Sequence, residues 1–239
     1  MAGGGGARLL AADFALSFMW VCSGVLYKMV AHTLLGFGHD ATGEAVACSL
    51  SIANMFLFAY LTEVTHGAYN PLTLIPNAIS GGFPGFLFVL LARIPAQTAG
   101  SIAGVKFLIA TIPEIGQGPR LAVEVHHGAL TEGFLTFAII VISLALSRNI
   151  PGSFYRKTWI SSVCKLSLHI LGSDLTGGCM NPASAMGWAY ARGNHWTKEH
   201  VFVYWLAPVE ATLLAVWIFK LLPRPMEKEK GRTKAKKSD

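Results

Sequence analysis

Hydrophobic residues along this chain gather in six long blocks, at about 9–35, 45–65, 84–110, 129–147, 158–173 and 201–222. Each approaches the roughly 20 residues a helix needs to cross a hydrocarbon layer about 30 Å thick, so the pattern predicts six transmembrane helices. Two shorter apolar runs interrupt the series. One follows Thr176-Gly177-Gly178-Cys179-Met180-Asn181-Pro182-Ala183-Ser184, the other His66-Gly67-Ala68-Tyr69-Asn70-Pro71-Leu72-Thr73. In each, a glycine-containing loop ends in Asn-Pro. Asn favours the N-cap and Pro the first helical position, so each Asn-Pro predicts a helix start. A helix of about ten residues is roughly 15 Å long, half the hydrocarbon thickness.

These two half-helices follow the second and the fifth blocks. Three crossings per half force the halves into opposite orientations, giving an inverted repeat over about 9–112 and 120–222. Paired short segments interrupted by Gly and Pro point to a site near the bilayer midplane. In the third block, Gly100-Ser101-Ile102-Ala103-Gly104 is a small-residue pattern that lets helices approach closely.

Composition agrees with this pattern. The chain of 239 residues is 53% hydrophobic and 13% charged, with mean hydropathy +0.49, against about 25% charged residues in soluble domains. The net charge of +6 comes largely from a tail, 223–239, where seven Lys/Arg face three Asp/Glu. The membrane body is close to neutral, which excludes a nucleic-acid partner. Residues 1–8, with the run Gly3 to Gly6, read as a flexible start, and 9–222 as a single transmembrane domain. The first block is too long for the core of a cleaved signal. Arg148, Arg156 and Lys157 share a side with Arg8 and the basic tail, so both termini are expected in the cytosol.

Cys22, Cys48, Cys164 and Cys179 are scattered without metal-ligand spacing, indicating neither a disulfide framework nor a zinc site. His126-His127, near Glu124, lack further spaced ligands and read as a solvated loop or mouth. No metal, no cofactor and no enzymatic constellation is expected.

The two Asn-Pro segments framed by three blocks each resemble those of the aquaporins, the major intrinsic protein family, over nearly all of 9–222. Asn70-Pro71-Leu72, His126-His127-Gly128-Ala129-Leu130-Thr131-Glu132-Gly133 and Leu171-Gly172-Ser173-Asp174-Leu175-Thr176 resemble the second subgroup of the plant small basic intrinsic proteins. The resemblance implies an all-α membrane fold of six transmembrane helices plus two half-helices, and a homotetramer with one pore per protomer. Half-helices entering from opposite faces aim two positive dipole ends at one point, repelling cations and protons. Asn70 and Asn181 can offer amide donors to passing water; alternatively they only cap their helices. Pro71, Leu72, Pro182 and Ala183 complete the two tips.

Counting from the two Asn residues puts the family's narrow filter at Ser51, His169, Gly178 and Ser184. Water-selective members carry an aromatic ring at the first of these positions and Arg at the last; here both are Ser. Hydroxyls in their place should widen the constriction and remove a positive charge. Leu72 stands where the first motif normally has Ala, and is expected to shift the tip or narrow the midplane. Pro76, inside a half-helix, removes a backbone bond and is expected to kink or shorten it.

Asp13 and Glu132 match places where the family carries a buried Glu. A carboxylate in a span is costly unless something donates to it, so each should hold loop backbone or a basic partner. Lys165 sits four residues before His169, on the same helical face. It either faces the lumen as a cation barrier, pairs with Glu132, or reaches toward the cytosol. Arg93 presents the same choice, with structural pairing favoured.

The chain ends Lys236-Lys237-Ser238-Asp239. Lysines fourth and third from the carboxyl end resemble a dilysine retrieval signal, and imply residence in the endoplasmic reticulum membrane. A basic tail on anionic headgroups is the alternative. The sequence thus predicts a passive channel for water or small neutral solutes. A poorly conducting or non-conducting membrane scaffold with the same fold is the second reading.

Overall fold

A computed structural model describes residues 3–113, 115, 118–150 and 152–223 of the chain; the tail lysines Lys236 and Lys237 lie outside them. The regular structure among those residues is all helical, in eight elements. They are α1 (Gly3–Met29, continued by a π turn Val30–Leu34), α2 (Ala41–Thr65), the short α3 (Pro71–Ser80), α4 (Phe83–Thr111), α5 (Val125–Asn149), α6 (Phe154–Gly172), the short α7 (Pro182–Arg192) and α8 (Lys198–Leu221).

Five of these, α1, α2, α4, α5 and α8, are long and apolar enough to cross a membrane. The fifth block becomes α6, 19 residues long, which falls short on composition because Arg156, Lys157 and Lys165 dilute it. The Gly3–Gly6 run departs from the flexible lead-in its composition predicts, since α1 begins at Gly3. Each Gly costs about 1 kcal/mol relative to Ala in a helix. Extending a formed helix adds one backbone bond per residue, and that bond prevails next to an apolar span.

The two halves share devices at matching places. In α4 a π turn, Val89–Arg93, precedes Pro95; in α8 a π turn, Phe202–Leu206, precedes Pro208. Proline lacks an N–H and its ring collides with the carbonyl four residues back. One wider turn lets the helix continue through it. The inverted repeat therefore extends to how each third helix accommodates its proline.

Close packing of α4 on α1 uses the predicted glycines. A Cβ on Gly104 would lie 2.5 Å from Val21 Cγ2 and 2.8 Å from the Phe18 carbonyl oxygen, and one on Gly100 would lie 3.0 Å from Phe14 Cα. The apolar core around the tips comprises Leu72, Ile75, Leu135, Ile139, Ile140, Leu168, Met180 and Ala215.

Two expectations for α3 are corrected here. Pro76 does not shorten the half-helix: α3 runs 10 residues against 11 in α7. Only the bond to the Leu72 carbonyl is forgone, and the helix continues to Ser80. The Leu72 side chain does not project into open space. It is 1% exposed and packs among Leu135, Leu168 and Met180, so its added volume fills the apolar core.

Candidate functional site

The site forms where the N-termini of α3 and α7 meet. Asn70 caps α3, its Oδ1 accepting from Leu72 N at 3.0 Å; Asn181 caps α7, accepting from Ala183 N at 3.2 Å and Ser184 N at 3.4 Å. Each amide nitrogen then crosses to the other half. Asn70 Nδ2 donates to the Met180 carbonyl at 2.8 Å, and Asn181 Nδ2 donates to the Tyr69 carbonyl at 3.0 Å. Met180 and Tyr69 are the residues immediately before the two Asn residues, so the bonding is reciprocal. A side-chain amide carries two N–H donors. One is committed in each Asn, and one remains.

Two buried carboxylates hold the loops that lead into the tips. Glu132, on α5, accepts from the Thr176 hydroxyl at 2.7 Å, Cys179 N at 2.7 Å and Met180 N at 2.8 Å. Asp13, on α1, accepts from Ala68 N at 2.7 Å and from Arg93 through Nε at 2.6 Å and Nη2 at 2.7 Å. The shorter Asp reaches one loop amide where Glu reaches two. Arg93 occupies the remaining acceptor capacity and also donates to the His66 carbonyl at 3.1 Å. Position 93 is the last residue of the first π turn, whose counterpart in the second half is Leu206. The Asp-for-Glu departure and the intramembrane Arg are one arrangement. Both carboxylates face donors on every side, as a charge at this depth requires.

The four counted filter positions are placed unequally. His169 Nδ1 lies 3.1 Å from the Gly178 carbonyl. A carbonyl only accepts, so Nδ1 carries the proton and Nε2 keeps its lone pair. Gly178 has φ +50°, and a Cβ there would fall 2.5 Å from the His169 carbonyl oxygen, so this contact requires glycine. Ser184 sits in the first turn of α7, its buried Oγ without a hydrogen-bond partner among the described residues. Ser51 is buried on α2, which packs against α6.

Of the three placements open to Lys165, the pairing with Glu132 is not taken. Its Nζ lies over the Trp20 ring at 4.6 Å and the Tyr69 ring at 5.4 Å. It pairs with the π faces of these rings in place of the Glu132 carboxylate. Trp20 stacks on Tyr69 with centroids 4.2 Å apart, and Phe58 meets both edge-on. This aromatic shelf places an ammonium beside the residue whose carbonyl receives the Asn181 amide. Its one sequence signal was an aromatic directly before the first Asn-Pro, which apolar periodicity does not single out. A cleft of roughly 410 Å³ is lined by Arg120, Leu121, Arg192, Asn194, Thr197, Glu199, His200 and Tyr204.

Six long helices, five of them long and apolar enough to cross a membrane, and two half-helices joined tip to tip with spare amide donors at their junction define a multi-pass membrane channel fold. The family model described as Major intrinsic protein matches residues 6–219, and the chain belongs to that family, the aquaporins. It is 57% identical to Probable aquaporin SIP2-1 of Arabidopsis thaliana, over 95% of this chain and 97% of that one. It is 49% identical to Aquaporin SIP2-1 of Zea mays, over 91% and 88% respectively. Aquaporin SIP1-1 of Oryza sativa subsp. japonica is more distant, at 35% over 94% and 97%. Among solved structures, the aquaglyceroporin from Plasmodium falciparum shares the fold, with TM-score 0.71 and 17% identity over 91% of this chain and 96% of that one.

Proposed function

We propose that this chain is a passive channel for water and small neutral solutes in the endoplasmic reticulum membrane, with a constriction wider than that of a water-selective channel. The observation that carries the reading is the reciprocal bonding of the tips, Asn70 to Met180 and Asn181 to Tyr69. It fixes two helix N-termini head to head and leaves one N–H per Asn for a passing oxygen. A water accepting from two such donors has no lone pair left to accept from its neighbours in the file, which interrupts proton hopping, while the facing dipoles oppose cations.

Selectivity follows from Ser51, His169, Gly178 and Ser184. Small polar groups at the first and last of these, with glycine at the third, leave His169 as the one large side chain of the constriction. The positive charge absent at Ser184 is supplied from elsewhere, by Lys165 on its aromatic shelf. Both termini face the cytosol, and the dilysine ending returns the protein to the reticulum. Four chains assemble with a pore in each, as the family resemblance suggests.

A second reading, a poorly conducting scaffold, is favoured by the enclosure of the junction, where Asn70 is 6% and Asn181 3% exposed. Stopped-flow swelling of proteoliposomes separates the two. A channel raises osmotic water permeability above that of empty vesicles, and Asn181→Leu removes the increase. Permeability equal to that of empty vesicles establishes the scaffold.

A further inference from the structure

Away from the half-helix junction, the connection between α1 and α2 gathers three side chains of metal-ligating type. His32 lies in the π turn that ends α1, His39 in the connecting loop and Glu44 in the first turn of α2. Gly36 and Gly38, at φ +70° and +67°, fold the loop back on itself. This brings the His39 ring onto His32, with centroids 4.2 Å apart and planes inclined at 25°. Gly43, on α2, makes room for the return, because a Cβ there would strike the Gly38 carbonyl. Asp40 caps α2 through Gly43 N at 2.8 Å and fixes the direction from which Glu44 approaches.

The tautomer of His32 is set from behind. Its Nδ1 faces the Gly38 carbonyl at 2.5 Å; a carbonyl can only accept, so Nδ1 holds the proton and Nε2 presents a lone pair. This is the arrangement by which ligating histidines are oriented in metal centres. Nε2 points at Glu44 Oε1, 3.8 Å away, and His39 Nδ1 lies 3.7 Å from the same oxygen. In the neutral ring, lone pair and carboxylate do not attract each other, and a cation between them satisfies both. The three ligand atoms all fall within 4.8 Å of one another. A tetrahedral ion with bonds of about 2.0–2.2 Å holds its ligands roughly 3.4 Å apart, a contraction of a few tenths of an ångström for the two pairs that include Glu44 and of up to about 1.4 Å between the two imidazoles, which must turn out of their stack. The His39 and Glu44 side chains are 80% and 60% exposed, so they can make that adjustment and leave the fourth position to water.

We propose that His32, His39 and Glu44 form a site for a borderline divalent cation, Zn2+ or its neighbours Cu2+ and Ni2+. Two imidazoles and a carboxylate suit these ions and disfavour Mg2+ and Ca2+, which take oxygen ligands. The bound ion ties the end of α1 to the start of α2 and stabilises a connection otherwise held by a few loop hydrogen bonds.

The test is equilibrium dialysis of the full-length protein in detergent against Zn2+, with thermal unfolding followed in parallel. One Zn2+ per chain is expected, together with a rise in unfolding temperature. His39→Ala and Glu44→Gln, both at exposed positions that do not threaten folding, should each weaken binding by at least about tenfold and abolish the rise. The double variant His126→Ala/His127→Ala, which removes the other exposed histidine pair, should bind as wild type does. Absence of binding by the wild type at submillimolar free Zn2+, or equal affinity in wild type and His39→Ala, overturns the proposal.

Discussion

At the scale of single residues, the chain resolves the problem of charge in a membrane twice, with different chemistry. In the second half Glu132 satisfies itself on a hydroxyl and two backbone amides. In the first half Asp13 is too short for that and depends on Arg93. Replacing Arg93 by Met leaves a buried carboxylate with one loop amide, which should cost about 3–5 kcal/mol. The double variant Asp13→Asn/Arg93→Met should recover much of that loss, because no unpaired charge remains. Thermal unfolding of the four proteins in detergent measures the cycle, and additive losses would mean the pair is not coupled. Lys165 has a different task. Lys165→Met should leave swelling in neutral solutes unchanged while raising cation leak in a vesicle conductance assay. Unchanged ion exclusion removes Lys165 from the selectivity mechanism.

At the scale of elements, sequence and structure agree where one physical constraint acts alone. Membrane thickness set the block lengths, and the helices match them within a few residues, as with 45–65 against Ala41–Thr65 and 201–222 against Lys198–Leu221. The Asn-Pro starts were legible because capping chemistry is local. What was not legible depends on packing. Leu72 read as an obstacle because its neighbours Leu168 and Met180 lie far along the chain, and the Lys165 partners Trp20 and Tyr69 belong to other elements. Pro76 and the Gly3–Gly6 run were read by helix propensity, which the apolar surroundings override. The metal-ligand cluster was hidden because two left-handed glycines, not ligand spacing, bring His39 back over His32. Helix contact itself can be tested at Gly104. Gly104→Val pushes a side chain into Val21 and the Phe18 backbone, and should destabilise the α1–α4 pair by roughly 1–3 kcal/mol. A wild-type unfolding temperature would show that α1 and α4 tolerate a wider separation.

At the scale of the whole molecule, the inverted repeat explains why one short motif organises a 239-residue chain. Each half supplies a half-helix, a carboxylate that restrains its loop, and a π turn ahead of a proline in its third helix. At the tips the two are joined through each other's backbone carbonyls. We expect the tail to carry the address. Changing both Lys236 and Lys237 to Ser in a tagged full-length protein should move it out of the endoplasmic reticulum, as seen by microscopy; an unchanged distribution assigns retention to another part of the chain.

The most direct test of the widened constriction is the ratio of glycerol to water permeability in proteoliposomes containing the wild type or Ser184→Arg. We expect the wild type to pass both, and the guanidinium restored beside Asn181 to reduce glycerol flux sharply while water continues to cross. A wild type that passes water but excludes glycerol, with a ratio that Ser184→Arg leaves unchanged, contradicts a pore widened at Ser51 and Ser184.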